Sequence, residues 1–146
     1  MKKFILAFLF SISLSCSLAS EVIQSSNNEN IRILDLVVGL QSTYSQTSQL
    51  DAKVFELLAG DGLNPVRLAL VLGSGDPHQE NRIFELNERV YSVKRITFAA
   101  KDLIVINFTQ DTFDSNDEVI QVNRSLKILV LRNETGELTG EIKILD

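Results

Sequence analysis

This chain is poor in the residues that most enzymes and cross-linked domains rely on. Its 146 residues hold one cysteine, one histidine, two prolines and no tryptophan. The cysteine, Cys16, lies in the first twenty residues, so the rest of the chain must fold without a disulfide and offers no thiolate nucleophile. A Ser-His-Asp mechanism has only His78 as its imidazole, and Gly73-Ser74-Gly75-Asp76 lacks the Gly-x-Ser-x-Gly order of a nucleophile elbow. No lysine follows that loop at a helix start, so it does not cradle phosphate. Without tryptophan and an aromatic-lined cleft, pairs of carboxylates say little about glycoside cleavage.

Basic charge is also scarce, with 14 Lys and Arg against 19 Asp and Glu. The seven arginines are scattered rather than striped, which argues against a nucleic-acid partner, since phosphate binding needs a basic face.

What is present begins at the N-terminus. Lys2 and Lys3, an apolar run from Phe4 to Leu14 and then small residues make Met1 to Ala19 a signal peptide. The run is too short to span a bilayer, so no transmembrane span is expected in the mature chain. Ser17, Leu18 and Ala19 fit cleavage after Ala19, and removal of the two leader lysines takes the net charge from −5 to about −7. The alternative is lipid attachment at Cys16, although Ser13-Leu14-Ser15-Cys16 puts leucine one place later than a lipobox requires. Either way Cys16 supplies no free thiol, and the product is secreted, periplasmic or anchored as a lipoprotein. Residues 20–30, rich in Ser and Asn, read as a flexible segment, and 31–146 as a single β-rich domain.

From Val66 onward the apolar residues recur with period two, the mark of strands. Val66, Leu68, Leu70 and Leu72 share a face, and Pro65 sits where a strand starts without losing a ladder donor. A loop follows from Gly73 to Asn81. Arg82 to Ala99 is extended and interrupted either by a reversal at Asn87 and Glu88 or by a bulge. Leu103 to Thr109 and Leu126 to Leu131 are apolar on both faces, as in central strands covered from two sides. Asn133 to Gly136 is a turn leading into a last strand that alternates Leu138, Ile142 and Ile144 with Thr139, Glu141 and Lys143.

Ile31 to Leu40 fits a strand. Leu50 to Ala59 carries two patterns, and Val54, Leu57 and Leu58 on one helical face, with Gly60 as terminator, favour a short N-terminal helix. The competing reading pairs the same segment as a strand with Val66 to Leu72 across Gly60 to Asn64. The expected architecture is an antiparallel β-sandwich-like domain, mainly β.

Asp111, Asp114, Asp117 and Glu118 crowd one loop, with Asn116 among them. A hard cation such as calcium is one reading, because converging oxygens are what calcium takes. The helix-loop-helix calcium pattern fails, since Val119 stands where its glycine belongs, and a solvated acidic loop guarding a sheet edge explains the same residues. Asp76, His78 and Glu80 approach this loop if Arg82 to Ala99 is one strand, and Asp61 does so if the chain reverses. Asn107, Asn123 and Asn133 begin glycosylation triplets, but two of them fall in strands and the leader looks bacterial. Tyr91 and Val93 form a candidate interaction patch if that strand is regular. These readings converge on an exported, non-enzymatic binding or structural protein of the cell envelope, with a protein or envelope component as partner. A metal-dependent hydrolytic or calcium-binding domain is the alternative.

Overall fold

Period-two patterning leaves a strand's amides and carbonyls to be satisfied by neighbouring strands. Here they are satisfied in two antiparallel sheets. The computed structural model describes residues 21–24, 36–74 and 80–145. The leader, Cys16, Asp76 and His78 lie outside these residues. Among the described residues there are nine strands and no α-helix: β1 (Val22–Gln24), β2 (Val37–Ser45), β3 (Leu50–Leu58), β4 (Val66–Gly73), β5 (Arg82–Val90), β6 (Ser92–Ala100), β7 (Leu103–Phe113), β8 (Val119–Arg132) and β9 (Leu138–Leu145). A four-stranded sheet runs in the order β2-β3-β4-β5, and a five-stranded sheet in the order β1-β9-β8-β7-β6.

The expected helix over Leu50 to Ala59 is corrected by this topology. The segment is β3, paired with β2 on one side and with β4 on the other. Leu50, Ala52 and Val54 alternate into the core and are fully buried, a two-residue period that the Val54, Leu57 and Leu58 spacing had obscured. Pairing on both edges outweighs a weak helical preference. Gly60 therefore does not end a helix. It closes the β3–β4 connection, where its amide donates to the Pro65 carbonyl at 2.8 Å, and a Cβ there would lie 1.9 Å from the Asn64 carbonyl oxygen.

The Arg82 to Ala99 stretch is neither one strand nor a hairpin. A bulge falls opposite Arg67 and Leu68, where Arg89 and Leu86 are successive partners and Asn87 and Glu88 are extra. The chain then leaves the four-stranded sheet at Tyr91 and enters the five-stranded one as β6. There the Tyr91 amide donates to the Thr109 carbonyl at 2.8 Å. This switch turns Val93 inward beside Val90 and Ile96, so Val93 is buried and only Tyr91 of the expected patch is exposed.

One cluster of buried side chains draws on both sheets. Leu50, Val54, Leu68, Leu70, Phe84 and Leu86 come from one, and Ile96, Ile104, Ile106, Phe108, Ile128 and Ile142 from the other. Each fully buried side chain of this kind contributes roughly 1.5–3 kcal/mol, which is how a chain without cross-links holds together. β7 and β8 are central in their sheet, but Leu103, Val105 and Leu129 on their second face are only half-buried.

Polar staples join the sheets at both ends. At the first end, the Asn64 side chain donates to the Asp111 carbonyl at 2.9 Å and accepts from the Asp111 amide at 2.8 Å, copying one rung of a β-ladder. Nearby, Gln110 Nε2 donates to the Arg89 carbonyl and Arg89 Nη1 meets Asp61 Oδ2 at 3.2 Å. At the second end, Arg132 connects three turns. Its Nη2 reaches the Ser48 carbonyl at 2.9 Å, its Nη1 the Gly136 carbonyl at 2.6 Å, and its Nε and Nη2 both reach Asp102 Oδ1 at 3.0 Å. Between the ends, Glu56 Oε2 accepts from the Val93 amide at 3.2 Å, and Gly39 leaves room for that carboxylate, since a Cβ there would lie 2.6 Å from Glu56 Oε1. No helix among the described residues is long and apolar enough to cross a membrane.

Candidate functional site

β7 and β8 are the longest strands, and their pairing runs unbroken from Leu103–Leu129 to Phe113–Val119. Core burial on β8 stops at Leu126, so the strand's first seven residues carry no buried side chain and the hairpin projects beyond the core. Phe113, Val119 and Ile120 are exposed at its tip. Phe113 and Val119 face each other across the ladder, and Ile120, one place along, points to the other face.

The acidic residues sit on this projection, and the structure divides them. Asp114 works inside the turn, where its Oδ1 accepts from the Asn116 amide at 2.8 Å and the Glu118 amide at 3.0 Å. The Glu118 amide first, then that of Asn116, holds the Asp114 carboxyl below the ordinary carboxylate value. Its backbone closes the loop, with the amide donating to the Glu118 carbonyl at 2.9 Å. Asp117 takes the left-handed position at φ 59°. Asp111 belongs to the strand below, with its Oδ1 accepting from Gln121 at 3.0 Å and its backbone held by Asn64. The carboxylates of Asp117 and Glu118 remain exposed and make no hydrogen bond among the described residues. No three His, Cys, Asp or Glu side chains among the described residues converge as metal ligands.

The neighbour of this hairpin base is the Asp61 loop, as the reversed-chain alternative anticipated, although the direction changes at Tyr91 rather than at Asn87 and Glu88. Asp61 caps its own loop, with Oδ1 accepting from the Leu63 amide at 2.9 Å and the Asn64 amide at 2.6 Å. The Asn64 amide first, and then the Arg89 side chain, depress its carboxyl below the ordinary range. Gly73 and Arg82, which flank the loop carrying Asp76 and His78, lie at the opposite end of β4 and β5 from Val66 and Val90. Glu80 is exposed there.

Three features had escaped notice in the sequence. Patterning singled out neither Phe113, Val119 and Ile120 at the hairpin tip, nor the joining role of Arg132, nor Val38, Leu40 and Tyr44, which are exposed on β2. A signal for the turn did exist. Asp114 to Glu118 repeats Asn133 to Glu137 in form: Asn133 Oδ1 accepts from the Glu137 amide, the Asn133 amide donates to the Glu137 carbonyl, and Gly136 takes the fourth position at φ 86°. No family model matches the chain, and no curated protein or solved structure matches it.

Proposed function

We propose that this protein is an exported binding or structural component of the cell envelope, its two sheets stacked as a β-sandwich that carries the β7–β8 hairpin to a partner. Export rests on the leader Met1 to Ala19, with lipid attachment at Cys16 as the anchored form. The observation that carries the binding reading is the exposure of Phe113, Val119 and Ile120 together at the end of a hairpin whose turn is fixed by Asp114. Beyond the cross-strand pair of Phe113 with Val119, these side chains bury nothing in the core, and their burial against a partner gains about 25 cal/mol per Å².

Charge selects the partner's chemistry. Asp117 and Glu118 beside the apolar pair favour a protein surface with an apolar pocket rimmed by Lys or Arg, and disfavour insertion into anionic lipid. The test is a photo-activatable side chain at Val119 in the full chain, expressed with its leader in a bacterial host. Specific adducts in the envelope fraction from Val119, and none from the equivalent β8–β9 tip at Glu134, are expected. Equal yields from both tips, or a product held in the cytoplasm with its leader intact, would refute the reading.

A further inference from the structure

We infer, resting on the reading of the β7–β8 hairpin as a docking element, that its partner is a second copy of this chain, stacked face to face about a two-fold axis that crosses β7 between Asn107 and Thr109. Along the ladder, Ile104, Ile106, Phe108, Leu126 and Ile128 turn into the core, so the residues that alternate with them form the opposite face. Six cross-strand pairs follow one another on that face: Leu103–Leu129, Val105–Lys127, Asn107–Ser125, Thr109–Asn123, Asp111–Gln121 and Phe113–Val119. Their character runs apolar, cationic, uncharged, uncharged, anionic, apolar. Read from either end, the polarity is the same and the charge is complementary.

A two-fold axis makes a surface meet itself. With the axis lying between the stacked sheets and across their strands, each strand runs antiparallel over its own copy. The first pair then meets the sixth, the second the fifth, and the third the fourth. Leu103 and Leu129 cover Phe113 and Val119, which are more than half exposed in the single chain, at 59% and 54%. Lys127 comes over Gln121 and beside Asp111, and only the uncharged Asn107, Thr109, Asn123 and Ser125 flank the axis. Lys143, paired with Leu129 on β9, is brought to the end that carries Glu118 and Val119. No like charges are set against each other along the ladder.

The order of side chains is what selects the second copy. Because the two ends of the face carry opposite charges, a partner of one sign is repelled at one end, and an uncharged partner leaves Lys127 and Asp111 unpaired. A matching surface must present the reverse order at the same spacing, and this chain turned end for end does so. β7 is 11 residues long, and at about 3.3 Å per residue the face extends about 36 Å. Two strands and their flanks over that length bury on the order of 1,000 Å² in both copies together, the lower limit of a specific interface, so the association is reversible and not obligate.

The experiment is sedimentation velocity on the purified full chain over a wide concentration range, with a charge swap between Gln121 and Lys127. Both are exposed on β8 and lie about 20 Å apart along it, too far to interact within one copy. Reversible dimerisation is expected for the parent chain. Gln121→Lys sets an ammonium group against Lys127 of the second copy and should weaken association about tenfold. Adding Lys127→Glu makes that contact attractive again, across the axis only, and should restore association. Arg124→Glu, exposed on the other face of β8, changes the net charge away from the interface and should leave association as it is. A photo-activatable side chain at Val119 should convert the purified chain into a covalent dimer. The proposal is overturned by a parent chain monomeric at every concentration, by a dimer that Gln121→Lys does not weaken or Lys127→Glu does not rescue, or by an equal loss with Arg124→Glu. If the purified chain is monomeric while Val119 still yields envelope adducts with another protein, this inference fails and the docking reading stands; if Val119 yields neither, both fail.

Discussion

Removing the Arg132 side chain should loosen one whole end of the molecule. Its guanidinium joins the β2–β3 turn at Ser48, the β6–β7 turn at Asp102 and the β8–β9 turn at Gly136. The ion pair is sheltered, with 22% of the Arg132 side chain and 14% of the Asp102 side chain exposed. Hydrogen bonds involving a charged group contribute about 1.5–3 kcal/mol each. Residual exposure lowers that figure, and release of the arginine rotamers returns about 2 kcal/mol. The balance predicts that Arg132→Ala costs about 2–4 kcal/mol, including the penalty of leaving Asp102 without its cation. Arg132→Lys keeps the charge but reaches one partner at a time, and should cost about 1–2 kcal/mol.

Urea unfolding followed by circular dichroism is the assay, with an unchanged slope showing that the unfolded ensemble is not altered. For a chain of this size each kcal/mol corresponds to roughly 3–6 °C in melting temperature. A cycle with Asp102→Asn isolates the ion pair and should return a coupling of about 1 kcal/mol, the remainder belonging to the two carbonyl contacts. If Arg132→Ala shifts stability by less than about 0.5 kcal/mol, the three-turn staple is not a source of stability and the reasoning is wrong.

Three further outcomes follow from the same geometry. Asn64→Ala strands one amide and one carbonyl of Asp111 and should cost about 2–3 kcal/mol in urea, while Asn64→Asp should lose as much at neutral pH by setting a carboxylate against the Asp111 carbonyl, and recover on acidification. Asp61 and Asp114 both have carboxyls held below the ordinary 3.8, so their contribution is complete above that value and is lost as pH falls through the depressed folded values; unfolding midpoints of an Asp61→Asn, Asp114→Asn chain should fall less steeply below about pH 4 than those of the parent. Ser48 has a buried hydroxyl with no hydrogen-bond partner among the described residues, so Ser48→Ala should be neutral or stabilise by up to about 1 kcal/mol, and a loss of similar size would refute this.

Legibility in the sequence tracked how local each determinant is. β4 and β9 were readable because their apolar residues recur at even spacing, interrupted in β9 only at Gly140, and their starts are marked by Pro65 and by the Asn133 to Gly136 turn. β3 was ambiguous for a physical reason: Val54, Leu57 and Leu58 fit a helical face as well as Leu50, Ala52 and Val54 fit a strand face, and only the two flanking strands decide. The corner at Tyr91 left no local mark. A strand that changes sheets looks like one that continues, so the side on which Val93 would fall depended on a packing event outside the segment. Arg132 and Ser48 are 84 positions apart, and nothing in either neighbourhood names the other. The acidic loop was found but its chemistry was only half legible, since Asp114 to Glu118 lacks the glycine that makes Asn133 to Glu137 an obvious turn.

The comparison of those two turns separates what the fold requires at the β7–β8 tip from what it does not. The β8–β9 turn closes with one side-chain acceptor at its first position and a left-handed residue at its fourth, supplied by Asn133 and Gly136. Asp114 and Asp117 fill the same two positions. Closure therefore accounts for the Asp114 carboxylate and for the backbone of Asp117, and leaves the Asp117 and Glu118 carboxylates to solvent. It equally leaves Phe113, Val119 and Ile120, since a turn closed by backbone and Asx bonds has no need of large apolar side chains in water. Two kinds of surplus, charge of one sign and exposed apolar area, coincide on one projection, whereas the β8–β9 tip, closed by the same bonds, has no large apolar side chain exposed. Acidic side chains also stand on the β8–β9 turn, at Glu134 and Glu137, so it is the exposed apolar area at Phe113, Val119 and Ile120 that distinguishes the β7–β8 tip, and this area is what the proposed partner would cover.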